Sequence, residues 1–222
     1  MLVSKQHKKL VLNLSNPARV TTVIPTAKTF EYKGRELVAV PHGLDEVRVL
    51  NNIGIKAPSP VAHYYKWSGQ YTPFAHQLQT VEFLTLNPRS YCLLDMGLGK
   101  SISVLWTYDY LRSIGKARKM VILSPLSTLE RVWGDEIFVH FPHLTYAVLH
   151  GANKTKRLKL LAQDVDVYIL NHDGVKVIGP ELAARDDIDV IVIDELAAFR
   201  NASTDRFKSL KKVLHGKTWV WG

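Results

Sequence analysis

Hydrophobic and polar positions follow two rhythms along this chain. From about Arg19 to Val40 they alternate in short runs, interrupted by Pro25 and by Lys33-Gly34, where glycine can supply the positive φ of a tight turn; the pattern predicts a small β-meander. From Gly43 to Asn52 the apolar residues Leu44, Val47 and Leu50 recur at three-residue spacing, and Gly54 stands where a helix C-cap would sit, so one short helix is expected. Ala57-Pro58-Ser59-Pro60 is stiff and helix-breaking, which places a domain boundary between it and Trp67. The expected organisation is a small α+β domain over residues 1–66 and a larger unit over 67–222.

Beyond Tyr71 the rhythm changes to apolar runs alternating with amphipathic stretches. The predicted strands are Tyr91 to Leu94, Met120 to Leu123, Tyr146 to Leu149, Val165 to Leu170 and Ile188 to Ile193. Strands apolar on both faces and separated by helices belong to a mostly parallel sheet covered on both sides, the α/β doubly wound class. Ligands of such sheets bind at the carboxyl ends of the strands. There is no convincing internal repeat.

Composition narrows the function without fixing it. The 222 residues are 46% hydrophobic and 22% charged, as in a globular protein, and 29 Lys and Arg against 20 Asp and Glu leave a net charge of +9. That excess favours a polyanionic partner, nucleic acid first, with a basic but inert surface as the bland alternative. Cys92 is the single cysteine, and His140 and His143 have no Cys partners in a zinc-type spacing. The opening MLVSKQHKKL lacks the apolar core of a signal peptide, and no run is long enough to span a bilayer, so an intracellular protein, cytoplasmic, nucleoid-associated or nuclear, is expected. The Asn-x-Ser/Thr triplets at Asn13, Asn153 and Asn201 are then chance.

Two motifs carry chemistry. DMGLGKS, Asp95 to Ser101, lies between a predicted strand and a helix with Val104, Leu105, Tyr108 and Leu111 on one face. A triphosphate needs many donors at close range: Gly97 and Gly99 let backbone N–H groups of the Met96–Gly99 stretch, including Leu98, turn inward. Lys100 would reach the β- and γ-phosphates, and Ser101 would place its hydroxyl on Mg²⁺. The general pattern, G-x-x-x-x-G-K-[ST], wants a glycine five positions before Gly99, where this chain has Leu94. Farther on, Val190 to Ile193 lead straight into Asp194-Glu195, two carboxylates at the end of a buried strand. Asp194 would hold Mg²⁺ and Glu195 would orient and deprotonate the attacking water; alone, the pair reads equally well as a cap on the next helix.

Taken in order, these segments resemble the Swi/Snf group of superfamily-two helicase-type ATPases over the last two thirds of the chain. Phe74-Ala75-His76-Gln77 is similar to that family's adenine-reading segment, which puts Gln77 on the base; it also reads as a plain helix start. SPLSTLERVWGDE, Ser124 to Glu136, resembles the next motif with its W-x-x-E ending, in a region that touches the DNA backbone in the family, although Trp133 can equally be core. ILNHDGV, Ile169 to Val175, resembles an asparagine-bearing loop, making Asn171 and His172 candidate DNA neighbours with Ser124. DELAAFRN resembles the family's DEAH-type box, with Arg200 and Asn201 at its basic and amide positions and Ala197 where histidine is usual. WVWG, Trp219 to Gly222, falls where the third motif begins. The first sixty or so residues resemble, more weakly, the accessory domains of annealing-helicase relatives, Val40 to Gly54 above all.

The resemblance implies a RecA-like P-loop lobe that binds Mg-ATP and belongs to an ATP-dependent DNA translocase, with double-stranded or branched DNA as partner. It further implies a second RecA-like lobe supplying an arginine finger, so that residues 67–222 form the first lobe, cut near the third helicase motif, and turn over ATP poorly alone. Phosphate-directed contacts are expected from Arg131, Lys154, Lys156 and Arg157, the Lys154 to Lys159 cluster being equally readable as a solvated helix face. Two other classes stay open: a P-loop kinase or nucleotidase acting on a small molecule, and a non-catalytic DNA-binding module.

Overall fold

A computed structural model describes every residue of the chain except Met96 and Ala152. The chain divides into two compact units, Met1–Lys66 and Trp67–Gly222.

The first unit contains β1 (Leu2–Ser4), β2 (Lys9–Leu12), α1 (Ala18–Thr21), β3 (Lys28–Tyr32), β4 (Arg35–Pro41), α2 (Leu44–Asn52) and α3 (Val61–Tyr64). Its antiparallel sheet runs β1-β2-β4-β3. The β3–β4 hairpin turns on Lys33 (φ 50°) and Gly34 (φ 72°), the two positive angles of a turn that matches strand twist. Leu44, Val47 and Leu50 of α2 are buried as their spacing predicts, and Gly54 (φ 81°) ends the helix, with Ile55 N–H donating to Leu50 O at 2.8 Å. The expected meander is corrected at its start. Ala18–Thr21 is a helical turn seating Val20 in the core, and β1 and β2 add two strands from a lysine-rich stretch whose composition hides their alternation.

The second unit contains α4 (Ala75–Leu86), β5 (Arg89–Ser90), α5 (Lys100–Ser113), β6 (Lys119–Ser124), α6 (Asp135–His140), β7 (Tyr146–Val148), α7 (Lys154–Leu161), β8 (Val167–Asn171), α8 (Gly174–Ala184), β9 (Ile188–Ile193), α9 (Asp205–Leu214) and β10 (Trp219–Trp221). Its six strands are ordered β5-β10-β9-β6-β8-β7 and every pairing is parallel. Val121, Leu123, Tyr168, Leu170, Ile191 and Ile193 point into a core closed on one side by Val175, Ile178 and Leu182 of α8 and by Leu210 and Val213 of α9. Parallel connections carry every strand's carboxyl end to one edge, so the loops after β5, β6, β8 and β9 share it.

One expected strand fails and one unexpected strand is found. Tyr91–Leu94 is not a strand: pairing with β10 stops at Ser90, only Cys92 N–H continues it by donating to Gly222 O at 2.7 Å, and Leu93 is 96% exposed. The slot beside β5 is filled by β10, a three-residue strand that places Trp219 and Trp221 in the core. The helix after the phosphate loop is also more buried than one face requires, because Ile102 to Leu111 are buried all round.

Candidate active site

The glycine loop leaves β5 and enters α5 at the shared carboxyl edge. Gly97 (φ 80°) and Gly99 (φ 72°) both adopt left-handed backbone angles that disfavour a side chain. Lys100 opens α5, and the amides of its first turn have no intrahelical acceptor, which leaves donors and the positive helix end facing the loop. The Lys100 ammonium rests on the carbonyl oxygens of Leu94 (2.6 Å) and Asp95 (3.0 Å). Ser101 follows, half-buried, one residue into the helix. Met96 lies outside the described residues.

Gln77 is buried against this loop. Its Oε1 accepts from Phe74 N–H at 2.9 Å, closing the start of α4, while its Nε2 and His76 Nε2 point at the Leu98 carbonyl at 3.5 and 3.1 Å. Since that carbonyl only accepts, His76 donates to it. The expected helix start and a contact to the phosphate loop therefore coexist in the same four residues.

The acidic pair leaves β9, separated from β5 by β10 alone. Two strand spacings put the two loops roughly 10 Å apart at the sheet edge, a gap that side chains and a triphosphate can bridge. Asp194 N–H donates to Leu123 O at 2.8 Å and His172 Nε2 donates to Asp194 O at 2.8 Å. The Asp194 carboxylate receives Ser124 Oγ (2.9 Å) and Trp133 Nε1 (3.1 Å), both on Oδ2. Glu195, exposed, takes a left-handed conformation (φ 52°, ψ 63°), the one positive φ outside glycine in this unit among the described residues. Such an angle costs of order 1 kcal/mol or more and turns the Glu195 backbone sharply out of the strand. Among the described residues Asp194 Oδ1 and the Ser101 hydroxyl accept no hydrogen bond, and a carboxylate with a hydroxyl is the hard oxygen set that suits Mg²⁺.

The candidate DNA contacts separate into available and occupied groups. Ser124 is fully buried with its hydroxyl engaged by Asp194 and Thr128, and the His172 ring is buried edge-on against Phe199, so both side chains are packed against the acidic box. Asn171 accepts from Arg157 Nη1 at 3.1 Å, which half-buries both side chains. Lys154 is paired with Glu181 at 2.6 Å, and that hydrogen bond holds the Glu181 carboxyl below the usual range. Arg131 and Lys156 are exposed, on the irregular wide turn Leu129–Gly134 and on α7 respectively. Ala197, Arg200 and Asn201 of the box are exposed.

Sequence reasoning left Trp133 undecided and assigned His172 elsewhere. The missed signal is topological: Ser124 ends β6 and Asn171 ends β8, and β6 lies beside β9, so the residues after those strands meet Asp194. Glu136, which closes the W-x-x-E segment, faces His140 at 3.7 Å, and burial pushes its carboxyl up despite that neighbour.

The SNF2-related domain matches residues 76–220. A Caenorhabditis elegans protein, the "SWI/SNF-related matrix-associated actin-dependent regulator of chromatin subfamily A containing DEAD/H box 1 homolog", is 26% identical over 126 residues, covering 54% of this chain and 13% of its own. The Saccharomyces cerevisiae "ATP-dependent helicase FUN30" is 30% identical over 132 residues, covering 55% and 12%. The chain therefore spans about an eighth of these relatives. The Sulfolobus solfataricus SWI2/SNF2 ATPase core in complex with dsDNA superposes with a TM-score of 0.62 at 22% identity, over 71% of this chain and 32% of that one. Another structure of that ATPase core domain gives 0.54 at 21%. The fold is the RecA-like lobe of such a core, preceded by a small α+β unit, and the chain belongs to the SNF2-related domain family.

Proposed function

We propose that this chain is the nucleotide-binding part of an ATP-dependent translocase on double-stranded or branched DNA, residues 67–222 forming its first RecA-like lobe and residues 1–66 an accessory domain. One observation carries the reading: the glycine loop and the Asp194-Glu195 pair leave the same edge of one parallel sheet with a single strand between them. A small-molecule kinase or nucleotidase shares the loop, but membership of the SNF2-related domain family favours the motor.

In this reading the amides of Gly97, Leu98 and Gly99 and of the first turn of α5 surround the phosphates, and Lys100 exchanges its two carbonyl partners for the β- and γ-oxygens. Gln77 reads the adenine from beside the loop. Ser101 and Asp194 hold Mg²⁺, which when bound neutralises charge developing on the transferred phosphoryl group. Glu195 orients the attacking water and takes its proton. In related ATPases an arginine finger raises the rate about 10³-fold or more. Chemistry that needs such a group from a second lobe leaves residues 1–222 able to bind Mg-ATP while turning it over poorly. DNA is gripped through its phosphates, because movement along a duplex cannot depend on base identity. Ala197, in place of the usual histidine, alters coupling between the box and its surroundings more than nucleotide binding. The small unit adds a grip on DNA or serves a structural purpose alone.

The test is binding of a fluorescent ATP analogue with Mg²⁺ by the chain and by Lys100→Ala, with and without duplex DNA. Binding that Lys100→Ala weakens at least tenfold supports the reading. Equal affinities, or rapid DNA-stimulated hydrolysis by the 222 residues alone, overturn it.

A further inference from the structure

The side chain that the function leaves unused is Trp133. Its ring is 2% exposed and fills the core, yet its indole N–H is 3.1 Å from both Ser124 Oγ and Asp194 Oδ2, 61 residues away in sequence. Ser124, fully buried, donates to the same oxygen at 2.9 Å and has Thr128 Oγ1 2.6 Å from its own. A terminal carboxylate torsion is broad and roughly two-fold, so an aspartate fixed only through its backbone would present either oxygen to a cation. Here both donors meet on one oxygen, and they come from the last residue of β6 and the segment following it, on the far side of β9 from the strand that leads to the glycine loop. The carboxylate plane is thereby fixed with Oδ2 engaged and Oδ1 left over.

We propose that Trp133 is a positioning residue for Asp194: with Ser124 it locks the carboxylate so that Oδ1 alone faces the Mg²⁺ of the bound nucleotide. This rests on the proposed Mg-ATP site. Leu129 and Trp133, four residues apart on the wide turn Leu129–Gly134, both point inward, so the turn that buries the ring also carries its N–H to Asp194. Hydrogen bonds to metal-ligating groups typically change metal affinity 10- to 100-fold when removed.

The experiment compares wild type with Trp133→Phe, which keeps an aromatic ring but removes the N–H with part of the indole, and with Trp219→Phe, which makes the same change elsewhere. Trp219 is an equally buried tryptophan whose indole donates to Lys116 O at 3.2 Å, at the opposite end of the sheet, so its variant reports the cost of losing an indole donor as such. Binding of the fluorescent ATP analogue is titrated with Mg²⁺ and repeated in EDTA. In parallel, indole N–H resonances are followed in chain labelled with ¹⁵N-tryptophan, the Trp133 peak being identified by its absence from Trp133→Phe. The expected result is an about tenfold rise in the Mg²⁺ needed for half-saturation in Trp133→Phe, with the EDTA affinity unchanged, the Trp219→Phe titration like wild type, and a Trp133 peak that moves with Mg²⁺ and nucleotide together but not with nucleotide in EDTA. Should Trp133→Phe fail to fold, Ser124→Ala, which removes the other donor and keeps the indole, must show the same rise. A Mg²⁺ titration indistinguishable from wild type in the folded variant, or a Trp133 peak that stays still while the nucleotide binds, overturns the positioning role and leaves the site intact. Wild type and Lys100→Ala binding equally weakly would instead remove the site and this inference with it.

Discussion

A Cβ at Gly99 would stand 2.2 Å from Nε2 of Gln77, so the last glycine of the loop is packed against the buried amide that closes the start of α4. Gly97 has a similar positive φ but nothing within 4 Å of the place its Cβ would take. The two glycines are thus required for different reasons, one by backbone angle alone and one by angle and contact. Gly97→Ala is expected to lower stability by about 1 kcal/mol, and Gly99→Ala by roughly 1–2 kcal/mol, because the strain is joined by the smaller cost of swinging the Gln77 amide off the Leu98 carbonyl. Thermal melts of both variants check this. Adding Gln77→Ala to Gly99→Ala should recover part of the difference; full additivity of the two changes would mean that they do not touch.

Glu195 holds its left-handed angle without glycine's freedom. Strain at a residue proposed to act in chemistry predicts that a better left-handed former will stabilise the fold. Glu195→Asn should leave the melting temperature unchanged or raise stability by up to about 1 kcal/mol, since asparagine is enriched in this region and keeps a short polar side chain. Affinity for the Mg-bound analogue should stay close to wild type while hydrolysis disappears. A clear loss of stability would show that the Glu195 side chain holds the turn.

Electrostatics separates the basic candidates. Lys156 is exposed on α7, whereas neighbouring Lys154 is already paired with Glu181. If duplex DNA is held through its phosphates, Lys156→Ala and Arg131→Ala should each weaken binding to any sequence alike and reduce the slope of log affinity against log salt by about 1. Lys154→Ala should do less, because it removes a partly neutralised charge. Equal effects at positions 154 and 156 across a salt series would contradict this division.

The fold class was legible because long apolar strands and a glycine loop between strand and helix are local signals. Met120–Leu123 and Ile188–Ile193 are runs whose every residue is buried save Asp189, a pattern only a two-sided sheet satisfies. Tyr91–Leu94 has the same composition, but its residues leave the sheet after Ser90 and alternate between exposed and half-buried; composition cannot reveal where a parallel partner ends. β10 escaped for the converse reason, three residues being too few to show a period. At the site, Lys100, Asp194 and Glu195 were readable from motif and position. The hydrogen bonds from Trp133, Ser124 and His172 to Asp194 were not, since they depend on which strands become neighbours.

In the first unit, His42 ties β4 to the proline-rich segment and to α3: Nε2 donates to Pro58 O at 2.9 Å, and Nδ1 lies 2.8 Å from the Tyr64 hydroxyl. The Pro58 carbonyl only accepts, so in the neutral ring Nδ1 is the acceptor for Tyr64. Burial lowers the affinity of His42 for a proton, against a smaller opposing effect of the Pro58 hydrogen bond. His63, whose ring centre is 5.3 Å away, is lowered too, first by burial and then by His42 and Lys5. A histidine that binds protons less readily folded than unfolded makes the folded state relatively weaker as protons become available. Stability should therefore be level above the ordinary histidine value of about 6.5, fall as pH drops through it, and level off again once His42 charges in the folded state. Urea denaturation at several pH values from 8 to 5, followed by hydrogen exchange of the β2 and β4 amides, measures the fall. In His42→Gln, which keeps a side-chain donor for Pro58 O and cannot charge, the slope should shrink to what His63 contributes. An unchanged slope in that variant would place the titrating group elsewhere.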